Sequence, residues 1–133
     1  MSMIPFDQRE GTIWFDGVMV PWRDAKIHVL SHGLHYGSSV FEGLRAYETP
    51  NGTAIFRLGD HTRRLFQSAK IYDIQIPYTQ DEINAACREI VKVNGLGKAY
   101  LRPVAFRGYG GIGIRLGFSC EFGGACCLKS GGL

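Results

Sequence analysis

The chain lacks the features that mark membrane, secreted and disulfide-stabilised proteins. It has no run of about 18 apolar residues, so the sequence predicts no transmembrane helix. The first residues show no basic segment followed by an apolar one, so we expect no secretory signal. There are only four cysteines, and without an export signal we expect reduced thiols and a cytoplasmic location.

An excess of one charge sign is also missing. The 15 Lys and Arg against 12 Asp and Glu give a net charge of +3, and the basic residues are scattered along the chain. Scattered basic residues are weak evidence for nucleic-acid binding, so we expect no nucleic-acid partner. The 133 residues, of which 45% are hydrophobic, suit one globular domain.

Turn signals and apolar periodicity predict an α+β fold. Asp16-Gly17 joins two apolar runs and is typical of a hairpin. Further strands are predicted at 39–47, 53–58 and 99–106, where Pro103 favours an edge or a bulge. With two helices after the first strands, we expect a two-layer sandwich, a mostly antiparallel sheet with both helices on one face.

The first predicted helix covers 59–74, with Asp60 as its N-cap. Its apolar face is predicted to carry Leu65, Ala69 and Tyr72.

The second helix has the clearest signals. A capping box at 79–82 predicts its start, and Asn94-Gly95 predicts its end. Its apolar stripe contains Ile83, Ala86, Cys87 and Ile90.

Three further signals have plain structural explanations. The segment 108–113 fits G-x-G-x-x-G, but no helical pattern follows it, so we expect no dinucleotide site; a loop beside a ligand or a partner backbone is the open alternative. His28, His32 and His35 could align on a helix as metal ligands, but glycines interrupt that helix, and we expect structural histidines and no metal. We assign no redox or metal role to any cysteine.

Strand alternation predicts one polar face of the sheet. Phe41, Gly43, Arg45 and Tyr47 share it, opposite the aliphatic Val40, Leu44 and Ala46, and Tyr100 and Arg102 share one face of 99–106. Because arginine forks bind carboxylates and phosphates bidentately, this face is a candidate site for a small anion with an apolar part. A solvated face with incidental arginines is the alternative.

Three segments closely resemble the branched-chain amino acid aminotransferases, pyridoxal-phosphate-dependent enzymes of class IV and fold type IV. They read IWFDGVMVPWRDAKIHVLSHGLHYGSSVFEGLRAY, FRLGDHTRRLFQSAKIY and AYLRPVAFRGYGGIGI. The resemblance runs from about Ile13 to Cys120. It implies pyridoxal 5'-phosphate as cofactor, branched-chain amino acids, glutamate and 2-oxoglutarate as substrates, and a homodimer or higher homo-oligomer.

The resemblance implies a role for each of seven residues. Arg64, in HTRRL, matches the arginine that holds the cofactor's phosphate. Phe41 matches a wall of the aliphatic pocket, and Tyr36 a tyrosine that enters the pocket of the neighbouring subunit. The full set for substrate is Tyr36, Phe41, Gly43, Arg45, Tyr100 and Arg102.

The remaining roles concern carboxylates. Tyr100 matches a tyrosine that helps to bind the substrate's α-carboxylate, and Arg45 matches a residue that orients it. Arg102, with the backbone at Gly43, matches the pair that receives the side-chain carboxylate of glutamate. The resemblance therefore implies a substrate site on the polar face.

The domain that carries the catalytic lysine in such enzymes would lie beyond Leu133, so we assign no catalytic residue and expect this chain alone to be inactive. We expect an N-terminal arm at 1–12, a small aminotransferase domain at 13–118 and an irregular Gly/Cys-rich tail at 119–133. The alternatives are a non-catalytic oligomerisation module of the same fold and another class IV enzyme, a D-amino acid aminotransferase or an aminodeoxychorismate lyase.

Overall fold

The computed structural model describes residues 4–109 and the backbone of 125–129. Within these residues the fold is α+β, with antiparallel sheets and helices packed against one face, as the sequence predicts. The strands are β1 (Thr12–Phe15), β2 (Val18–Pro21), β3 (Ser39–Phe41), β4 (Leu44–Thr49), β5 (Gly52–Ile55), β6 (Ala99–Phe106) and β7 (Ala125–Lys129). The helices are α1 (His32–Tyr36), α2 (Leu58–Ile71) and α3 (Gln80–Val93), with 3₁₀ turns at Phe6–Gln8 and Trp22–Asp24.

β1 and β2 form the predicted hairpin and a separate two-stranded sheet. Asp16 and Gly17 have φ values of 47° and 88°, as a turn with two positive φ angles requires. The hairpin is attached to the end of α3 through Asn94. Its Oδ1 accepts a hydrogen bond from Thr12 N–H at 2.8 Å, and its Nδ2 donates to Thr12 O at 3.0 Å.

The strand predicted at 39–47 is interrupted at Glu42 and Gly43. β3 and β4 keep one register against β6, with Phe41 opposite Val104 and Leu44 opposite Leu101. The predicted strand is therefore present on both sides of the break, but it is not continuous.

Pro103 explains the interruption. β6 pairs with β3, β4 and β7, so of the two predicted settings for Pro103, an edge strand or a bulge, the edge strand is wrong. The Pro103 carbonyl accepts a hydrogen bond from Glu42 N–H at 3.0 Å, but proline has no N–H to return. The regular ladder stops at this pair for that reason.

α2 differs from its prediction at both ends. Its N-cap is Arg57, at φ 49°, without a side-chain cap, so Asp60 is not the N-cap. Asp60 instead forms ion pairs with Arg57 and Arg63 in the first turn. Tyr72 follows the helix and is exposed, because the chain turns away after Ile71; the predicted apolar face keeps Leu65 and Ala69, both buried.

α3 matches its prediction closely. The capping box between Thr79 and Glu82 is formed in both directions, and Asn94 is the C-cap. The predicted apolar stripe is buried, and burial of each of its two isoleucines, Ile83 and Ile90, contributes about 1.5–3 kcal/mol. α2 and α3 enclose the core over one face of the sheet, with Leu65, Cys87, Ile90 and Leu101 fully buried.

β7 lies in the stretch that the sequence describes as irregular. Its five residues pair antiparallel with β6, from Ala99 opposite Lys129 to Pro103 opposite Ala125. Ladder bonds join backbone groups, so a strand can form without side-chain alternation. The rest of 119–133, and the G-x-G-x-x-G segment after Tyr109, lie outside the described residues. In the described part, no helix is long and apolar enough to cross a membrane.

Candidate active site

The polar face that alternation predicts is present in the structure. Burial alternates along 39–47, with Val40, Leu44 and Ala46 buried and Phe41 and Arg45 exposed. Because β4 and β6 are in register, Arg45 stands opposite Tyr100. This polar face of the sheet, called the open face below, carries five of the seven predicted site residues: Phe41, Gly43, Arg45, Tyr100 and Arg102.

Three of these residues are in close contact. A Cβ atom placed on Gly43 would lie 2.3 Å from the Tyr100 hydroxyl oxygen, so this hydroxyl occupies the space beside glycine. Arg102 Nη2 donates a hydrogen bond to the same hydroxyl at 2.8 Å. The Tyr100 side chain is therefore held between a backbone without a side chain and a guanidinium group.

Arg102 combines charge with an apolar environment. Its Cζ lies 4.3 Å from the centroid of the Phe41 ring and 5.3 Å from that of Tyr100, within the range of cation–π contacts. Its Nε is buried and has no hydrogen-bond partner among the residues that the structure describes. A buried donor without a partner is costly, so the Arg102 position is not explained by its contacts among the described residues alone.

Tyr36 lies apart from this group. It ends the short helix α1, is half exposed, and packs against the ring of His32 with the centroids 4.5 Å apart. Its second ring contact is with His35, so both ring contacts of Tyr36 lie within α1.

The three histidines that the sequence offered as metal ligands bind within their own segment. His32 Nδ1 lies 2.7 Å from Ser38 Oγ, and His35 Nε2 lies 2.9 Å from Val29 O. His28 Nδ1 accepts the Leu30 N–H at 3.1 Å. Among the described residues, no group of three metal-ligating side chains converges.

Arg64 also lies away from the open face, in an ion pair on the helix side. Its Nε and Nη2 donate to the two carboxylate oxygens of Glu42 at 2.6 and 2.7 Å. His61 Nδ1 lies 2.8 Å from Glu42 Oε2. These three side chains, Glu42, His61 and Arg64, are called the Glu42 cluster below.

The electrostatics of the Glu42 cluster follow from this geometry. The hydrogen bond from Arg64 keeps the pKa of Glu42 below its ordinary value of 4.5, although burial opposes this; the His61 contact lowers it further. The same hydrogen bond raises the pKa of Arg64. Glu42 is therefore ionised at neutral pH.

One edge of the Arg64 guanidinium remains outside the ion pair. Glu42 is 5% exposed, whereas the Arg64 side chain is 64% exposed. Guanidinium has five N–H donors, and Glu42 uses one on each of two nitrogens. Arg64 lines a hollow of about 260 Å³ together with Arg57, Asp60, His61, Arg63 and Gln67.

Sequence reasoning missed Glu42 and His61. The signal for Glu42 was its position, because alternation places a carboxylate on the aliphatic face between Val40 and Leu44. A charge at a core position requires a partner. The partner could not be identified locally, since Arg64 is 22 residues away along the chain.

Comparison with known proteins agrees with the resemblance. The family described as amino-transferase class IV matches residues 39–123, more than half of the chain. A branched-chain-amino-acid aminotransferase of Pseudomonas aeruginosa is 61% identical over 107 residues, which are 80% of this chain and 35% of the relative. This chain thus spans about a third of the length of such relatives.

Two solved structures have the same fold. The branched-chain amino acid aminotransferase from Escherichia coli superposes with a TM-score of 0.85 at 43% identity, over 91% of this chain and 41% of that one. The T.th. enzyme of the same name, complexed with N-(5'-phosphopyridoxyl)-L-glutamate, gives a TM-score of 0.77 at 48% identity, over 80% and 36%. On the matched residues and these identities, the chain belongs to the class IV aminotransferase family.

Proposed function

We propose that this chain is the N-terminal part of a pyridoxal-phosphate-dependent branched-chain amino acid aminotransferase of the cytoplasm. The reaction would transfer the amino group between leucine, isoleucine or valine and 2-oxoglutarate. The observation that carries the proposal is the Arg102 guanidinium, which donates to the Tyr100 hydroxyl and lies against the Phe41 ring. The names of the similar proteins support the same substrates.

This arrangement suits a pocket that accepts both kinds of substrate. An aliphatic side chain can pack on the Phe41 ring, with Tyr36 of a neighbouring subunit closing the pocket in a homodimer or higher homo-oligomer. The side-chain carboxylate of glutamate can instead meet the Arg102 fork, assisted by the backbone at Gly43. One surface thus offers apolar contact and a bidentate cation.

The α-carboxylate of either substrate would be bound by Tyr100. The hydroxyl accepts a hydrogen bond from Arg102, which leaves its own proton free to donate to a carboxylate oxygen. Arg45, opposite Tyr100 in the sheet, would orient this side chain. Binding the α-carboxylate at a fixed point would orient the bond that reacts.

The residues present fit a phosphate monoester as well. The Arg64 side chain is largely exposed and lines a hollow together with two further arginines, and arginine binds phosphate bidentately. Pyridoxal phosphate, when bound, supplies the aldehyde that accepts the amino group. Arg64 would hold its phosphate.

The proposal is tested on the full-length protein that carries this chain. Purified protein is supplied with pyridoxal phosphate and 2-oxoglutarate, and glutamate formation is followed with leucine, isoleucine, valine or D-alanine as amino donor. We expect glutamate from the three branched-chain donors and none from D-alanine. Turnover of D-alanine alone would indicate a different class IV enzyme, and no turnover with any donor would favour the non-catalytic module.

A further inference from the structure

Glu42 occupies an unusual place for a carboxylate. It lies at the interruption between β3 and β4, on the face that packs under the helices, and is 5% exposed. Its neighbours on that face, Val40 and Leu44, belong to the hydrophobic core. Removing a carboxylate from water costs several kcal/mol unless charged partners compensate, so the position of Glu42 depends on what it binds.

The partners of Glu42 come from one helix. Arg64 contacts both carboxylate oxygens, and His61, one turn earlier on α2, contacts Oε2. Two parallel hydrogen bonds fix the plane of a guanidinium group as well as its position. A long side chain that would otherwise be mobile on the surface is thereby held in one orientation.

The ion pair with Glu42 leaves part of the Arg64 guanidinium group available. Glu42 takes one N–H on each of Nε and Nη2, which leaves three N–H donors of a side chain that lines the hollow. Because the Arg64 side chain is already held in one rotamer, binding of an anion in the hollow would cost less side-chain entropy.

We propose that Glu42 is a positioning residue that holds the Arg64 fork for a phosphate monoester. This rests on the proposed function in so far as the monoester is that of pyridoxal phosphate. Glu42 itself does not contact the phosphate; it acts through Arg64.

The negative charge of Glu42 and its proposed positioning role predict opposite effects on anion binding when the carboxylate is removed. The carboxylate carries a negative charge beside the proposed phosphate site, so its removal should strengthen anion binding if charge alone mattered. If Glu42 positions the fork, its removal should weaken binding. The sign of the change therefore separates the two roles.

The test compares Glu42→Gln with Asp60→Asn in the full-length protein. Asp60 is the matched control, because it lines the same hollow but forms its ion pairs with Arg57 and Arg63 and not with Arg64. Pyridoxal phosphate is titrated by absorbance, and pyridoxal without its phosphate is titrated in parallel. Inorganic phosphate is titrated by calorimetry, and the melting of the apo-protein reports folding.

For Glu42→Gln we expect pyridoxal phosphate and inorganic phosphate to bind about tenfold more weakly, the effect of losing one well-oriented charged hydrogen bond. The affinity for pyridoxal should not change, and Asp60→Asn should bind both phosphates as tightly as wild type or more tightly. Tighter binding by Glu42→Gln, or an equal loss for pyridoxal, would overturn the proposal.

A second variant covers the case in which Glu42→Gln does not fold. Glu42→Asp keeps the charge but withdraws the carboxylate by one methylene, so it should also weaken phosphate binding; unchanged affinity would refute the positioning role. If wild type binds inorganic phosphate but no pyridoxal phosphate, the proposed function fails. The titrations with inorganic phosphate then still decide whether Glu42 positions Arg64. If wild type binds neither, both proposals fail.

Discussion

The Tyr100 hydroxyl fills the space that a side chain at Gly43 would need, 2.3 Å from the position of a Cβ atom. Gly43→Ala must therefore move the Tyr100 ring, and with it the acceptor of the Arg102 hydrogen bond. Under the proposed function, we expect kcat/KM for leucine in the full-length protein to fall at least about tenfold, since small displacements of positioning groups have large kinetic effects.

A double variant checks the cause. Tyr100→Phe removes the oxygen that clashes, so Gly43→Ala combined with Tyr100→Phe should melt at a higher temperature than Gly43→Ala alone. Equal melting temperatures for these two proteins would mean that the hydroxyl is not the obstacle.

Arg102 should discriminate between the two kinds of substrate. Under the proposed function its fork would meet the side-chain carboxylate of glutamate or 2-oxoglutarate, which leucine lacks, and a charged hydrogen bond contributes about 1.5–3 kcal/mol. We expect Arg102→Ala to lower kcat/KM for 2-oxoglutarate much more than that for leucine in full-length enzyme. Similar losses for both substrates would assign Arg102 to the support of Tyr100 and Phe41.

The ion pair in the Glu42 cluster predicts a pH dependence of stability. Since folding lowers the pKa of Glu42 from its ordinary value of 4.5, the pair stabilises the folded protein above that value. This stabilisation is lost as the pH falls through the lower pKa of the folded state. In urea unfolding, the free energy of unfolding of Glu42→Gln should lie furthest below that of wild type near neutral pH. This difference should shrink below about pH 4.5. A difference that stays constant into acid would exclude the ionised pair as its source.

Cys87 should be chemically inert in the folded protein. It is fully buried on α3, and burial raises the pKa of its thiol to about 12, so almost no thiolate is available at neutral pH. We expect no iodoacetamide labelling of its peptide by mass spectrometry until denaturant is added. Arg88→Cys places a thiol on the exposed side of the same helix and should label readily. Comparable labelling of both thiols in native protein would contradict the burial of Cys87.

The capping box of α3 should contribute measurably to stability. Thr79 Oγ1 accepts the Glu82 N–H at 3.2 Å, and Glu82 Oε2 accepts the Thr79 N–H at 2.7 Å. Thr79→Ala should lower the free energy of unfolding by about 1 kcal/mol, and Thr79→Ser should restore most of it. An alanine variant as stable as wild type would show that the cap is dispensable.

Local signals account for the parts of the fold that the sequence predicted well. The bounds of α3 are encoded within a few residues of each end, at Thr79 and at Asn94, and the hairpin turn lies in Asp16 and Gly17 alone. Alternation, a property of every strand, was enough to predict the open face with Arg45, Tyr100 and Arg102.

Two of the features that the sequence did not predict depend on partners distant in the chain. The break after Phe41 depends on a proline in β6, and the buried Glu42 is explained only by a side chain of α2. Neither relationship produces a pattern within one element. The N-cap prediction failed for a local reason, because Asp60 binds the arginines three residues before and after it instead.

The attachment of the hairpin by Asn94 bears on aggregation. Thr12 directs its N–H and C=O away from β2, as unpaired groups at the edge of a sheet do, and the Asn94 amide binds both, as a neighbouring strand would. Such edges are templates on which other chains add strands. By ending α3 with a side chain that mimics a peptide group, the protein closes this position of the β1 edge to intermolecular β-pairing.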